Sequence, residues 1–229
     1  MTHTRRADEL RPAVLSDGQD ILINFVQGRG EAHTMTAAAR YALSFTSGAL
    51  LVREALVAAP LYLRVQDWAK VRELIEEDNL LQARTRSSGF RLAREVAQRL
   101  SVLTDGELEL LLDATPTERG YLMWAAACRR YDLIGEFAEE VVRERYLVLA
   151  QALGHDDFDS FIRGKALWHE EVANLKDTTL RKLRSTVFRM LMEAGLIADD
   201  GRLNQAVLSA RLKDALSDDL HFFPTGGTA

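Results

Sequence analysis

The chain has 229 residues, a formal net charge of −5, four prolines and one cysteine. That length supports one large domain or two small ones with a sizeable core, and a lone cysteine excludes an internal disulfide framework. The acid excess excludes a uniformly basic coat protein, but it leaves room for local basic patches of the kind that steer nucleic acid.

Residues 1–34 differ from the rest of the chain. Their first twenty, MTHTRRADELRPAVLSDGQD, contain no apolar run of a secretory signal. No stretch of the chain approaches the ~18 apolar residues of a membrane span. The expected setting is the cytoplasm, with no membrane partner. SDGQDILINFVQGRG reads either as a short strand between glycine turns or as a loosely attached arm.

From residue 36 the pattern turns helical. TAAARYALSF is one expected helix and SGALLVREALVAAPLYL another, ended or kinked near Pro60. Asp67 is placed to cap WAKVRELIEEDNLLQ, and a further helix is expected over about 88–103. TDGE at 104–107 reads as a capping box before LELLLDA. TPTE at 115–118 repeats the signal with Pro116 at the first helical position, opening a helix through RGYLMWAAACRRY. Cys128, at helical spacing among apolar residues, reads as a small buried hydrophobe. A long helix is expected through IGEFAEEVVRERYLVLAQAL, stopped by Gly154, then shorter ones over DFDSFIRGK and LWHEEVANL. Trp68, Trp124 and Trp168 each lie in an apolar helix and read as core. Asp177 or Thr178 caps TLRKLRSTVFRMLMEA, which Gly195 ends. GLIADDGRLN carries a hairpin signal, two short apolar strands around Asp-Asp-Gly. AVLSARLKDAL adds a last helix, and DDLHFFPTGGTA reads as a tail.

The expected fold is therefore all-α, a mostly helical bundle with a small C-terminal winged-helix-like β-hairpin. The expected divisions are an N-terminal extension over 1–34, a helical core domain over 35–165 and a C-terminal helical, winged-helix-like subdomain over 166–229.

Charge is distributed unevenly. Residues 104–164 carry six basic and thirteen acidic side chains. NLLQARTRSSGFRLAREVAQRL, residues 79–100, holds five arginines and one acid, and residues 176–189 hold five basic side chains and one acid. A negative middle is thus flanked by two positive helices. At ~100° per residue, Ala93, Val96, Ala97, Leu100 and Leu103 form one apolar stripe, with Arg91, Arg94 and Gln98 opposite. Arg84 joins them if the helix begins early, although Ser87-Ser88-Gly89 suggests a break. A loop carrying Arg84 and Arg86 into a helix start suits an anion, because free backbone N–H groups and the helix dipole favour phosphate there. In the second patch Leu180, Leu183, Val187, Met190 and Leu191 face inward, while Arg181, Lys182, Ser185 and Arg189 face outward. Arg184 lies beside the apolar stripe and reads as an internal partner for a Glu. A helix followed by a glycine-bearing hairpin is the end of a winged-helix unit, whose recognition helix enters a major groove. The candidate nucleic-acid-binding residues are therefore Arg84, Arg86, Arg91, Arg94, Arg181, Lys182 and Arg189. The competing expectation is that these cations pair with acids on a neighbour, for which Glu136, Glu139 and Glu140 are available.

Catalytic signatures are missing. Neither G-x-x-x-x-G-K-[ST] nor G-x-G-x-x-G occurs. His169 in WHEE has carboxylates next to it on other helix faces and reads as a surface histidine, not a metal ligand. Asp156, Asp157 and Asp159 lack the glycine and distal Glu of a calcium loop and read as helix caps. The expectation is no enzyme, no cofactor and no metal.

YALSFTSGALLVREALVAAPLY, DWAKVRELIEEDNLLQARTRSSGFRLAREVAQRL, YLMWAAACRRYDLIGEFAEEVVRERYL and KALWHEEVANLKDTTLRKLRSTVFRMLMEAGLI together resemble the BrxA family, the small protein of BREX phage-defence systems. The resemblance runs from Tyr41 to Phe223-Pro224, leaving residues 1–34 outside. It implies a mostly helical, NusB-like fold, similar to antitermination proteins that bind RNA. DNA binding is also proposed for the family, which is not regarded as enzymatic and acts beside a methyltransferase, a phosphatase-like protein and ATPases. It implies no active-site residues. SGALL at 47–51 departs from it, since the family more often has a second glycine where Ala49 stands, which puts a tight backbone approach there in doubt. Two functions are compatible with these signals: a non-catalytic nucleic-acid-binding component, its ligand either DNA or RNA, or a scaffold that docks other defence proteins.

Overall fold

The computed structural model describes residues 39–45, 48–150 and 152–226. The strand or arm expected before residue 35, and the first part of the helix expected over 36–45, lie outside them. Residues 39–45 are not helical. Tyr41 is held by other parts of the chain instead. Its N–H donates to the Glu171 carboxylate at 2.7 Å, its hydroxyl donates to Glu136 and its ring stacks on His169 at 4.0 Å.

The described residues form eleven α-helices. The helix α1 spans Val52–Val65 and runs through Pro60 without ending there. In α2, Trp68–Glu77, the Asp67 side chain accepts from the N–H groups of Ala69 and Lys70, as expected. Next come α3 over Arg86–Leu100, α4 over Asp105–Asp113 and α5 over Pro116–Arg130. Both predicted capping boxes close: Thr104 N–H donates to Glu107 at 2.7 Å and Thr115 N–H to Glu118 at 2.9 Å. The long helix is present but short. It comprises α6 (Asp132–Phe137), a π-helical stretch (Ala138–Arg143) and α7 (Glu144–Leu147), and the chain turns away at Leu149, whose φ is +56°. In α8, His155–Lys165, Asp157 accepts from Gly154 N–H at 2.8 Å. The helix α9 is a single turn, Glu170–Ala173. Neither Asp177 nor Thr178 caps α10, Asp177–Glu193: Lys176 precedes it and no side chain caps it. Gly195 ends α10 with φ +72°. The last elements are α11 (Ala210–Ala215) and a 3-10 stretch over Ser217–Phe222.

The centre of the fold is α5. Every residue from Gly120 to Cys128 is buried, so this helix is apolar all round and needs neighbours on every side. It contacts α1, α3, α4, α6, α10 and the 3-10 stretch. A Cβ at Gly120 would sit 3.3 Å from the Ala194 Cα, so the glycine permits the close crossing with the end of α10. Burial pushes the Cys128 thiol well above its ordinary pKa, which keeps it unreactive. Contacts group the described residues from Arg40 onward as one unit.

The winged-helix-like β-hairpin expected after α10 is not formed. Among the described residues there is no strand; the segment contributes only isolated bridges, Ile197 to Leu203 and Ala152 to Arg202. The Asp-Asp-Gly turn does close, with Gly201 N–H donating to Ala198 O at 2.9 Å. Its tip is packed down instead of projecting. Leu153 N–H donates to Gly201 O at 2.9 Å, and a Cβ at Gly201 would meet Leu153 O at 2.9 Å. Past Asn204 the chain leaves the turn, and Ala206 N–H bonds to Pro224 O. A wing needs two arms extending from the body, and both are tied back within a few residues.

Residues 218–224, expected to be part of a tail, are held in the fold. Phe223 is fully buried, and Trp124 Nε1 donates to Phe222 O at 3.0 Å. Arg129 on α5 holds Asp219 and Glu107 together, its Nη1 donating to Glu107 at 3.0 Å. Burial alone would raise the Glu107 carboxyl, yet Arg129 and the Thr104 N–H outweigh it and leave its pKa lowered. Of the three tryptophans, Trp124 is core and Trp68 is half-buried, stacked on Tyr62 at 4.1 Å. Trp168 is 74 % exposed beside Leu167. It follows the end of α8, where no other helix covers it, so apolar spacing alone misplaced it.

Candidate nucleic-acid interface

Thr85 sets where α3 begins. Ser88 N–H donates to Thr85 Oγ1 at 3.1 Å and Thr85 N–H to Ser88 Oγ at 3.2 Å. The Ser-Ser-Gly run expected to break the helix therefore starts it, and Arg86 becomes the first helical residue. Arg84 stands just before the cap. Asn79 fixes this approach, its amide bonding both backbone groups of Ala83. The predicted inward stripe, Ala93, Val96, Ala97, Leu100 and Leu103, is buried throughout. None of residues 86–92 is fully buried, although Leu92 packs against the core.

The one acid of the 79–100 stretch faces inward. Glu95 is 4 % exposed and Arg99 fully buried. Arg99 Nε lies 2.9 Å from Glu95 Oε1, to which the Tyr131 hydroxyl also donates at 2.7 Å. Burial and that hydrogen bond push the Tyr131 phenol up to about 12, so it remains a donor. Five arginines and one acid thus divide into a neutral buried pair and four exposed cations. Arg84, Arg86, Arg91 and Arg94 are all exposed, and among the described residues none forms an ion pair.

On α10 the predicted inward set is buried except for half-buried Leu180, and Arg181, Lys182, Ser185 and Arg189 are exposed. Arg181, Lys182 and Arg189 also form no ion pair among the described residues. Arg184 pairs internally, as expected, but its partner is Asp159 of α8 and not a Glu. Glu136 and Glu140, available to neutralise the basic helices, instead both hold Lys165.

One loop ties the two cationic helices together. Arg189 of α10 donates to Gly48 O at 3.1 Å. Arg99 of α3 donates to the next carbonyl, Ala49 O. Leu50 N–H returns to Glu193 of α10 at 2.8 Å. The later turns of α3 and α10 meet on successive peptides of residues 48–50.

Sequence reasoning missed two residues here. Arg53, exposed on α1, donates to Gln82 Oε1 at 3.0 Å, beside the loop that carries Arg84. Its only sequence signal was a single Arg next to Glu54. Phe90 is 44 % exposed. The helical wheel sets it at the edge of the apolar stripe, and only the fold shows that nearly half of it stays open to solvent.

An all-helical protein, centred on a buried helix and presenting two cationic helices joined by one loop, is the class that fold and surface define. The family model described as BrxA matches residues 39–219, and the chain belongs to that family. It is 27% identical over 161 residues to "BREX protein BrxA" of Escherichia coli O9:H4 (strain HS), covering 70% of this chain and 76% of that one. It is 25% identical over 182 residues to "BREX protein BrxA" of Paramagnetospirillum magneticum, covering 79% of this chain and 92% of that one. The crystal structure of an uncharacterized protein from Magnetospirillum magneticum shares the fold, with a TM-score of 0.66 at 24% identity over 80% of this chain and 96% of that chain. Family membership makes the chain a component of a BREX system.

Proposed function

We propose that the chain is a non-catalytic nucleic-acid-binding component of its BREX-type phage-defence system, acting in the cytoplasm. In this reading Arg84, Arg86, Arg91 and Arg94, from the helical core over 35–165, contact phosphates. Arg181, Lys182 and Arg189, from 166–229, add a second contact. The observation that carries the reading is the inward turn of Glu95. It removes the only acid of the stretch from a surface that keeps four arginines. Such side chains neutralise phosphates and release condensed counterions with little base readout.

A second reading, a scaffold for other BREX proteins, is favoured by a different surface. Leu167 and Trp168 are 77% and 74% exposed, and a bulky apolar pair in water is a common anchor of protein interfaces. Isolation of the tagged protein from cells carrying the system, with and without nuclease, separates the two. The nucleic-acid reading predicts that nucleic acid co-purifies and that BREX proteins leave with it on nuclease treatment. BREX proteins that persist after nuclease, and are lost with Trp168→Ala, establish the scaffold instead.

A further inference from the structure

Arg86, Phe90, Arg94 and Gln98 succeed one another at four-residue steps along α3. Each step advances ~40° around the axis and ~6 Å along it, so the four lie on one slowly winding stripe. Its aromatic member is flanked on both sides by cations. The Arg86 guanidinium lies 5.8 Å from the Phe90 ring centroid, within cation–π range. Arg91 stands beside this stripe, ~60° from Arg94. Phe90 is also the most exposed large apolar side chain in the first two turns of α3, whereas Leu92 packs against the core.

We infer that Phe90 is a stacking platform for an unpaired base, and hence that the ligand of this face is single-stranded nucleic acid. The inference rests on the phosphate-binding reading and makes it specific. Surface arginines alone do not distinguish a duplex from a single strand, because both present phosphates. A half-exposed ring between them favours the single strand, since a base in a duplex must first be unstacked, at a cost of a few kcal/mol, before it offers an open face. A single strand offers that face at every nucleotide, and cationic tracks interleaved with aromatic rings bind it with little regard to sequence. The guanidinium groups either side of the ring then meet the phosphates flanking the stacked nucleotide.

The test is fluorescence anisotropy with three labelled probes of equal length: single-stranded DNA, single-stranded RNA and a DNA duplex. Phe90→Ala should weaken binding of a single-stranded probe by about 5- to 150-fold, the range of one lost base–aromatic stack. It should change duplex binding less than twofold. Phe90→Trp should restore single-strand binding and Phe90→Leu should not, which separates stacking from mere bulk. The single-stranded probe that shows this dependence, DNA or RNA, is the ligand class. Salt-dependent binding that Phe90→Ala leaves unchanged, or weakens equally on all three probes, overturns the stacking platform while leaving the phosphate reading standing. Failure of the wild-type protein to bind any probe at 50 mM salt overturns both.

Discussion

Arg91→Glu combined with Arg94→Glu should weaken nucleic-acid binding by about a hundredfold while leaving the far-ultraviolet circular dichroism unchanged. Each phosphate contact carries a salt slope near −0.9, so at 0.1 M salt the loss of two contacts costs about 60-fold. The two new carboxylates add repulsion to that loss. Both side chains are exposed and form no ion pair among the described residues, so nothing in the fold depends on them. Binding of this variant at wild-type strength would remove α3 from the interface.

Arg99→Leu should have the largest effect on stability. The same helix and the same residue type give the opposite outcome because Arg99 faces inward. Its loss leaves Glu95 buried with the Tyr131 hydroxyl as its only partner among the described residues, and Ala49 O without the Arg99 donor. Removing one member of a buried ion pair costs about 3–5 kcal/mol. Arg94→Leu, five residues earlier on the exposed side, should cost no more than about 0.5 kcal/mol. Urea denaturation of the two variants checks the contrast, and similar midpoints would refute the division of α3 into a buried pair and an exposed cationic face. Arg99→Leu with Glu95→Leu should recover part of the loss, since replacing both charges removes the uncompensated one.

Local signals were legible where one residue type has one mechanical use. Asp67, the Thr104–Glu107 and Thr115–Glu118 boxes and Gly195 all act at the helix ends where their chemistry places them. The inward and outward sides of α3 and α10 also came from spacing. Tertiary context overturned the rest. Asp-Asp-Gly makes its turn, but Leu153 and Pro224 claim the neighbouring backbone, so no wing extends. Asp219 and Phe222 look like part of a tail until Arg129 and Trp124 take hold of them. Trp168 has core-like spacing and lies on the surface. Within the candidate site, the arginines were visible from composition and period. The destination of Glu95 was not, because it depends on Tyr131, 36 residues away. The loop that joins α3 to α10 was also hidden, since its contacts run from residues 48–50 to Arg99, Arg189 and Glu193.

The most direct measurement is the affinity of the wild-type protein for a labelled oligonucleotide as potassium chloride is raised from 50 to 200 mM. If four arginines neutralise four phosphates, affinity falls by about a hundredfold across that range, with a logarithmic slope near −3.6. Binding that ignores salt would contradict the claim that exposed guanidinium groups hold the phosphate backbone.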